Sequence, residues 1–193
     1  MLKVLTVAEN EDFLRRVSKK VDFDELDLKQ NIAEIKEWCL ANNSVYAMAA
    51  IQFGIDKRIV FVKSTTENVA FDKNAQEMMI NPEIISQEGK TEFWESCASG
   101  GLNFALVERP YKMVVRYQDE NAVFYTKTFE GFSATVVSHE LDHLDGIFHM
   151  DRAKELLQLP QNERVEYRKN HPYKIISKSG IFEYPEINNY NEK

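Results

Sequence analysis

The chain has 193 residues with a formal net charge of −7, 44% of them hydrophobic and 28% charged. That length fits one domain with a sizeable core, and the balance is that of a globular protein. So acidic a chain is a poor match for a nucleic-acid backbone, so no nucleic-acid partner is expected, and no apolar run approaches a membrane span.

The opening "MLKVLTVAENEDF" has no apolar core of a secretory signal and turns acidic at once. Two cysteines, Cys39 and Cys97, are too few for a disulfide framework and suit a reducing compartment, so a cytoplasmic location is expected. Within the opening, "KVLTV" has the alternation of a short strand. The cluster Arg15, Arg16, Lys19 and Lys20 reads as the solvated face of a helix. In "ELDLKQNIAEIKEWCLANN", Leu28, Ile32, Ile35 and Cys39 recur at helical spacing, which gives Cys39 a core role. "RIVFVK" (58–63) is a β-branched strand, and "MMINPEIISQEG" gives two short extended pieces around Pro82. "YKMVVRYQDENAVFYTKTF" is a hairpin with its turn at Asp119–Asn121. "GFSATVVSHELDHLDGIF" is a second helix whose apolar face includes Phe132, Val136 and Leu144. Strands in the middle flanked by helices make the class α+β. Residues 152–193 are charged and helix-prone but broken by Pro160 and Pro172. They read as an extension packed on the domain of residues 1–151, with the terminal "EINNYNEK" disordered.

Residues 139–143 read H-E-L-D-H. Histidines four apart on a helix lie about 40° apart around its axis, so both imidazoles reach one ion. Glu140 projects beside them and suits a general base acting on a water at that ion. Two third ligands are open. His149 completes H-E-x-x-H-x-x-G-x-x-H, the metzincin pattern, but that pattern needs a methionine turn further on, and the one later methionine, Met150, abuts the motif. His149 is then expected on the surface after the helix. Cys97, in "EFWESCASGG", would give a two-histidine, one-thiolate site with an open position; by itself such a cysteine is as well explained as a small buried hydrophobe.

Three stretches in order, "VYAMAAIQ" (45–52), "ESCAS" (95–99) and "SHELDH" (138–143), resemble the peptide deformylase motifs G-x-G-x-A-A-x-Q, E-G-C-L-S and Q-H-E-x-D-H. "RPYKMVVRYQD" and the "GF-x-A" before the last helix extend the likeness to about residues 1–151. The resemblance implies an α+β fold of antiparallel or mixed sheets around a central H-E-x-x-H helix. It implies one divalent metal per chain on Cys97, His139 and His143, usually ferrous iron, with zinc, nickel or cobalt able to replace it. It implies that Glu140 moves the proton and that Gln52 and the Ala98 backbone N–H stabilise the oxyanion. Asp142, beside the ligands, either holds a histidine ring N–H from behind or is simply exposed. The implied substrate is an N-formylmethionyl peptide of a nascent protein, met at the ribosome. Val45, Tyr46 and Ala47 would lie along its backbone, and Phe93, Phe132, Thr135 and Val136 around its side chain. The departures are Val45 and Ala47 for two glycines, whose Cβ atoms would crowd the groove, and Ser96, Ala98 and Ser138. A relative that binds metal and peptide without turnover, or a different H-E-x-x-H hydrolase, are the competing readings.

Overall fold

Eight strands pair antiparallel in one sheet: β1 (Ala47–Ala49), β2 (Ile59–Thr65), β3 (Phe71–Ser96), β4 (Asn103–Arg109), β5 (Lys112–Gln118), β6 (Phe124–Glu130), β7 (Ala153–Gln158) and β8 (Lys174–Ile181). The helices are α1 (Val7–Leu14), α2 (Leu28–Ala41), α3 (Phe132–Leu144) and α4 (Gln161–Asn170). The class is therefore α+β. The computed structural model describes residues 2–42, 44–65 and 71–187, so most of the terminal "EINNYNEK" lies outside the described residues.

The two extended pieces expected around Pro82 are one strand. β3 pairs with β2 up to Ile80, with β5 from Ile80 to Glu88, and with β4 from Thr91 to Ser96. It bends at Asn81, which has φ 51, and the ladder slips between Ile80 and Glu83. Pro82 therefore sits in an irregularity, where its missing N–H costs no ladder bond. The Asn81 side chain fixes the bend. It accepts from the Val21 N–H at 2.7 Å and donates to the Val21 carbonyl at 3.1 Å.

The α2 reading holds: Leu28, Ile32, Ile35 and Cys39 are all buried, and burial pushes the Cys39 thiol up to about 12. The hairpin is β5–β6, its turn held by the Asp119 carboxylate, which accepts the N–H groups of Asn121 and Val123. Two readings near the N-terminus fail. "KVLTV" joins no sheet. Its Leu5 N–H donates to the Gln52 carbonyl (2.8 Å) and its Val7 N–H to the Ser99 carbonyl (2.9 Å), so it ties two loops together. The Arg15–Lys20 cluster is not a helix face, because α1 ends at Leu14. Arg15 turns inward onto Asp151 and the Phe148 ring, while Arg16, Lys19 and Lys20 are exposed.

Helix α3 is buried along most of its length. Ala134, Val137, Leu141 and Leu144 pack on the sheet with Ile51, Val60, Met79 and Val115. Of the expected face, Leu144 is buried in this cluster and Val136 packs half-buried against it, whereas Phe132 meets the Tyr46 and Phe93 rings instead. The polar residues Ser138, His139, Glu140, Asp142 and His143 are buried as well, so they must find partners within the protein.

Gly146 stops the chain just past α3 with φ +72, and a Cβ there would lie 2.2 Å from the Arg15 carbonyl oxygen. Both the left-handed backbone and the backbone clash oppose any larger residue. Gly146→Ala should lower unfolding free energy by about 2 kcal/mol or more in a denaturant titration, which is a fall in Tm of roughly 4–8 °C.

Candidate metal centre

Three pieces of chain converge. Helix α3 carries His139, Glu140 and His143; the end of β3 carries Glu95, with Cys97 just beyond it; a 3₁₀ turn at Ala50–Phe53 carries Gln52. The Cys97 sulfur and one nitrogen of each histidine lie within 4.8 Å of one another, all on buried residues. Cys97 Sγ is 3.1 Å from His143 Nε2, which is 3.2 Å from His139 Nε2. In a tetrahedral set with bonds of 2.0–2.3 Å the donors sit roughly 3.3–3.6 Å apart. The three atoms are therefore close to the spacing one ion would impose. A soft thiolate with two imidazoles suits iron, zinc, nickel or cobalt and does not suit calcium or magnesium. Beside them, burial pushes the Glu140 carboxyl up to about 7, and its Oε2 is buried with no hydrogen-bond partner. An orphaned buried carboxylate oxygen next to three converging ligand atoms is what a metal with its water would satisfy.

The donors are held from behind by buried charges. His139 Nδ1–H donates to Glu95 Oε2 at 2.8 Å, which leaves Nε2 as the ligating atom. Arg109, fully buried on β4, grips Glu95 through two bonds of 2.9 Å. Burial alone would raise the Glu95 carboxyl, but Arg109 and the His139 bond outweigh it and hold it well below the usual carboxylate range. Arg109 also reaches Asp142, and Arg152 closes on Asp142 with bonds of 2.7 and 2.8 Å. Asp142 is thus neither exposed nor bonded to a histidine. It is the buried counter-charge of two arginines, and Glu95 has the role expected of it. Glu95, Arg109 and Arg152 are the residues sequence reading missed. Glu95 and Arg109 stand in the "ESCAS" and "RPYK" stretches, but nothing in their spacing says that they pair.

Gln52 is almost fully buried, and its orientation is fixed. Oε1 accepts the Ala49 N–H at 3.0 Å, which turns Nε2 toward Cys97 Sγ (3.4 Å) and Ser99 Oγ (3.1 Å). The Ser99 backbone N–H also donates to the Cys97 sulfur at 3.4 Å. Ala98, between them, is exposed.

His149 is not on the surface. It is 1% exposed, with its ring 5.7 Å from that of His139. Its Nε2 donates to the Asn103 carbonyl at 3.1 Å, and the donor atoms that converge are those of Cys97, His139 and His143. Burial pushes its pKa down to about 4, so the ring is neutral. The space it occupies exists because residue 100 is glycine: a Cβ there would lie 2.7 Å from His149 Cε1.

Of the residues expected along a substrate, Tyr46 is exposed and meets the Phe132 ring edge-on at 6.0 Å. Phe93 meets Phe132 at 5.2 Å, Thr135 is buried, and Val136 is half-buried. Val45 and Ala47, the two positions expected to crowd a groove, both pack against the core. Ala47 is buried in the core with Ala134 and Val137, and Val45 packs on the α2 cluster, so both side chains turn inward. Two other departures have partners: Ser96 Oγ accepts from Arg168 at 3.0 Å, and Ser138 Oγ bonds Tyr184 and Arg109.

Comparison with known proteins agrees with this geometry. The family described as Polypeptide deformylase matches residues 1–158. A peptide deformylase of Leptospira biflexa is 32% identical over 160 residues, covering 79% of this chain and 89% of that protein. Peptide deformylase 2 of Clostridium acetobutylicum is 31% identical, covering 81% of this chain and 99% of its own. The crystal structure of a class I type b peptide deformylase from Acinetobacter baumannii with Met-Ala-Ser bound superposes with a TM-score of 0.69 at 28% identity, covering 79% of this chain and 99% of that one. The chain belongs to the polypeptide deformylase family, and its activity is that family's metal-dependent hydrolysis of formylated peptides.

Proposed function

We propose that Cys97, His139 and His143 hold one divalent ion per chain, ferrous iron in the native protein, and that Glu140, Gln52 and the Ala98 N–H act on the formyl group beside it. The observation that carries this reading is the buried Glu140 carboxylate with an unpartnered oxygen next to the three donors. When bound, such an ion polarises a carbonyl oxygen and acidifies a water. Glu140 takes the proton of the attacking water and delivers it to the departing amine. A carboxyl poised near neutrality by burial suits both transfers. The oxygen of the formyl group gains negative charge as its carbon is attacked. Gln52 Nε2–H, fixed by the Ala49 bond, and the Ala98 N–H supply stationary donors to it.

The substrate in this reading is an N-formylmethionyl peptide emerging from the ribosome. Its backbone runs along Val45, Tyr46 and Ala47, and its first side chain enters between Phe93, Phe132, Thr135 and Val136. Two free cysteines, one of them a ligand, favour the reducing cytoplasm. No described helix is long and apolar enough to cross a membrane.

Three measurements test these roles. Loaded with nickel or, without oxygen, with ferrous iron, the full chain should free the amine of formyl-Met-Ala-Ser, releasing formate, far faster than it frees the amine of acetyl-Met-Ala-Ser, releasing acetate. Equal rates on the two peptides would contradict a site shaped around the formyl hydrogen. Glu140→Gln should keep its metal and lose turnover by roughly a hundredfold or more; loss of the metal, or near-normal turnover, would remove Glu140 from the proton path. Metal analysis after desalting should find Cys97→Ala stripped and His149→Ala still loaded, and the reverse pattern would give the third position to His149.

A further inference from the structure

The family match ends at residue 158, and the chain continues into α4 and β8. Helix α4 carries two arginines that no acid answers. Elsewhere in this chain of net charge −7 every arginine is either exposed, as Arg16 and Arg116 are, or ion-paired. Arg15 pairs with Glu11 and Asp151, Arg58 with Asp145, Arg109 with Glu95 and Asp142, and Arg152 with Asp142. Arg164 is buried and Arg168 half-buried, yet among the described residues neither has a carboxylate in ion-pair contact, and both bond neutral oxygens. Burial lowers the pKa of both guanidinium groups, and at Arg168 the charge of Arg164 adds to the lowering. Two partly desolvated like charges lack the counter-charge that every other sheltered arginine here has.

Their position beside the metal centre is fixed. Arg168 Nε–H donates to the Trp94 carbonyl (2.9 Å) and an Nη2–H to Ser96 Oγ (3.0 Å). Arg164 donates to the carbonyls of Leu159 (2.8 Å) and Gly101 (2.6 Å). Ser96, one of the departures from the family motifs, is thus what holds Arg168, and it directly precedes Cys97. The Arg168 guanidinium also lies over the Phe93 ring, 5.1 Å from its centroid. These bonds use two of the five N–H groups of each arginine, which leaves donors for a further acceptor.

We infer that Arg168 is a specificity-determining residue: it selects, among N-formylmethionyl peptides, those with an acidic side chain at the third residue. This rests on the proposed reading that the peptide lies extended along Tyr46 with its first side chain beside Phe93 and Phe132. Side chains alternate along an extended chain, so the third residue faces the same side as the first, about 6.6–6.8 Å further on. Arg168, set over the Phe93 ring, stands at that range on that side. A carboxylate arriving there accepts from the unused N–H groups of Arg168 and supplies the counter-charge that the two arginines lack. The guanidinium is already held by Trp94 and Ser96, so little ordering is needed when the peptide binds. The second residue points to the opposite side and meets neither arginine.

Calorimetry on the nickel-loaded full chain with the deformylated peptides Met-Ala-Glu-amide and Met-Ala-Gln-amide tests this without relying on turnover, and the amide removes the terminal carboxylate. The wild type should bind the Glu peptide about tenfold more tightly than the Gln peptide, the scale of hydrogen bonds to a charged group. Arg168→Gln should abolish that preference, and Arg168→Lys, which keeps the charge, should retain part of it. Met-Glu-Ala-amide should bind no better than Met-Gln-Ala-amide. The proposal is overturned if the wild type binds the Glu and Gln peptides equally, or if the preference survives Arg168→Gln. It is also overturned if the preference falls on the second residue instead, or if no sample binds any of the peptides. Formate release from the formylated peptides separates the two readings. A Glu preference in binding without formate contradicts the catalytic roles while supporting Arg168 as the selector; formate released equally fast from Glu and Gln peptides that bind equally removes Arg168 and leaves the catalytic roles standing.

Discussion

A single buried guanidinium organises the centre of this protein. Arg109 is wholly removed from water, so its charge must be answered by fixed neighbours. Glu95 answers it from the end of β3 and Asp142 from the last turn of α3, and Asp142 is shared with Arg152. Two carboxylates and two guanidinium groups leave the cluster neutral. Removing one partner from such a buried pair costs about 3–5 kcal/mol, against a total stability of about 5–15 kcal/mol for an ordinary domain. The arrangement also sets the chemistry. Glu95, fixed by Arg109, turns the His139 ring, and Asp142 anchors α3 between its two metal-binding histidines. The geometry of the donors is thus inherited from an ion network that lies outside them.

Helix α3 works because its two sides meet different surroundings. Ala134, Val137, Leu141 and Leu144 seal one side against the sheet, and the other side carries the histidines, Glu140 and Asp142. Little water reaches that side, which is why the Glu140 carboxyl titrates near neutrality and why its unpartnered oxygen stands out. Gln52 and Ser99 close the site from the opposite direction. The N-terminal segment bonds the backbone of both, so those two donor-bearing loops are held by one short stretch of chain.

Much of this was legible in the sequence, and the rest was not for identifiable reasons. The period of α2, the β5–β6 hairpin and the H-E-x-x-H spacing are local patterns and were read directly. Cys97 needed the family resemblance, because forty-two residues separate it from His139 and no spacing rule links them. "KVLTV" alternates like a strand, but its N–H groups go to two loops, and only the fold reveals that. β3 passes through Pro82 because Asn81 adopts φ 51 and bonds Val21, sixty residues earlier. On α3 the expected face held at Val136 and Leu144 but not at Phe132, because polar residues are buried on that helix too, which weakens the contrast that periodicity relies on. His149 was placed outside because the metzincin pattern lacked its methionine turn; the space that admits it is made by Gly100, far away in sequence. Ala47 is buried in the core and Val45 is half-buried against the α2 cluster, contacts that no local pattern announces. The partners of Ser96 and Ser138 lie in a segment whose charge and prolines gave no hint that it reaches the site.

The central claim is that one thiolate and two imidazoles, set by the buried ion network, make the metal centre. X-ray absorption at the metal edge of the zinc-loaded full chain measures that directly. The account predicts one sulfur at about 2.3 Å and two imidazole nitrogens at about 2.0–2.1 Å, with a light atom completing the shell. A spectrum with no sulfur and three imidazoles would contradict it, returning His149 to the metal and Cys97 to the core.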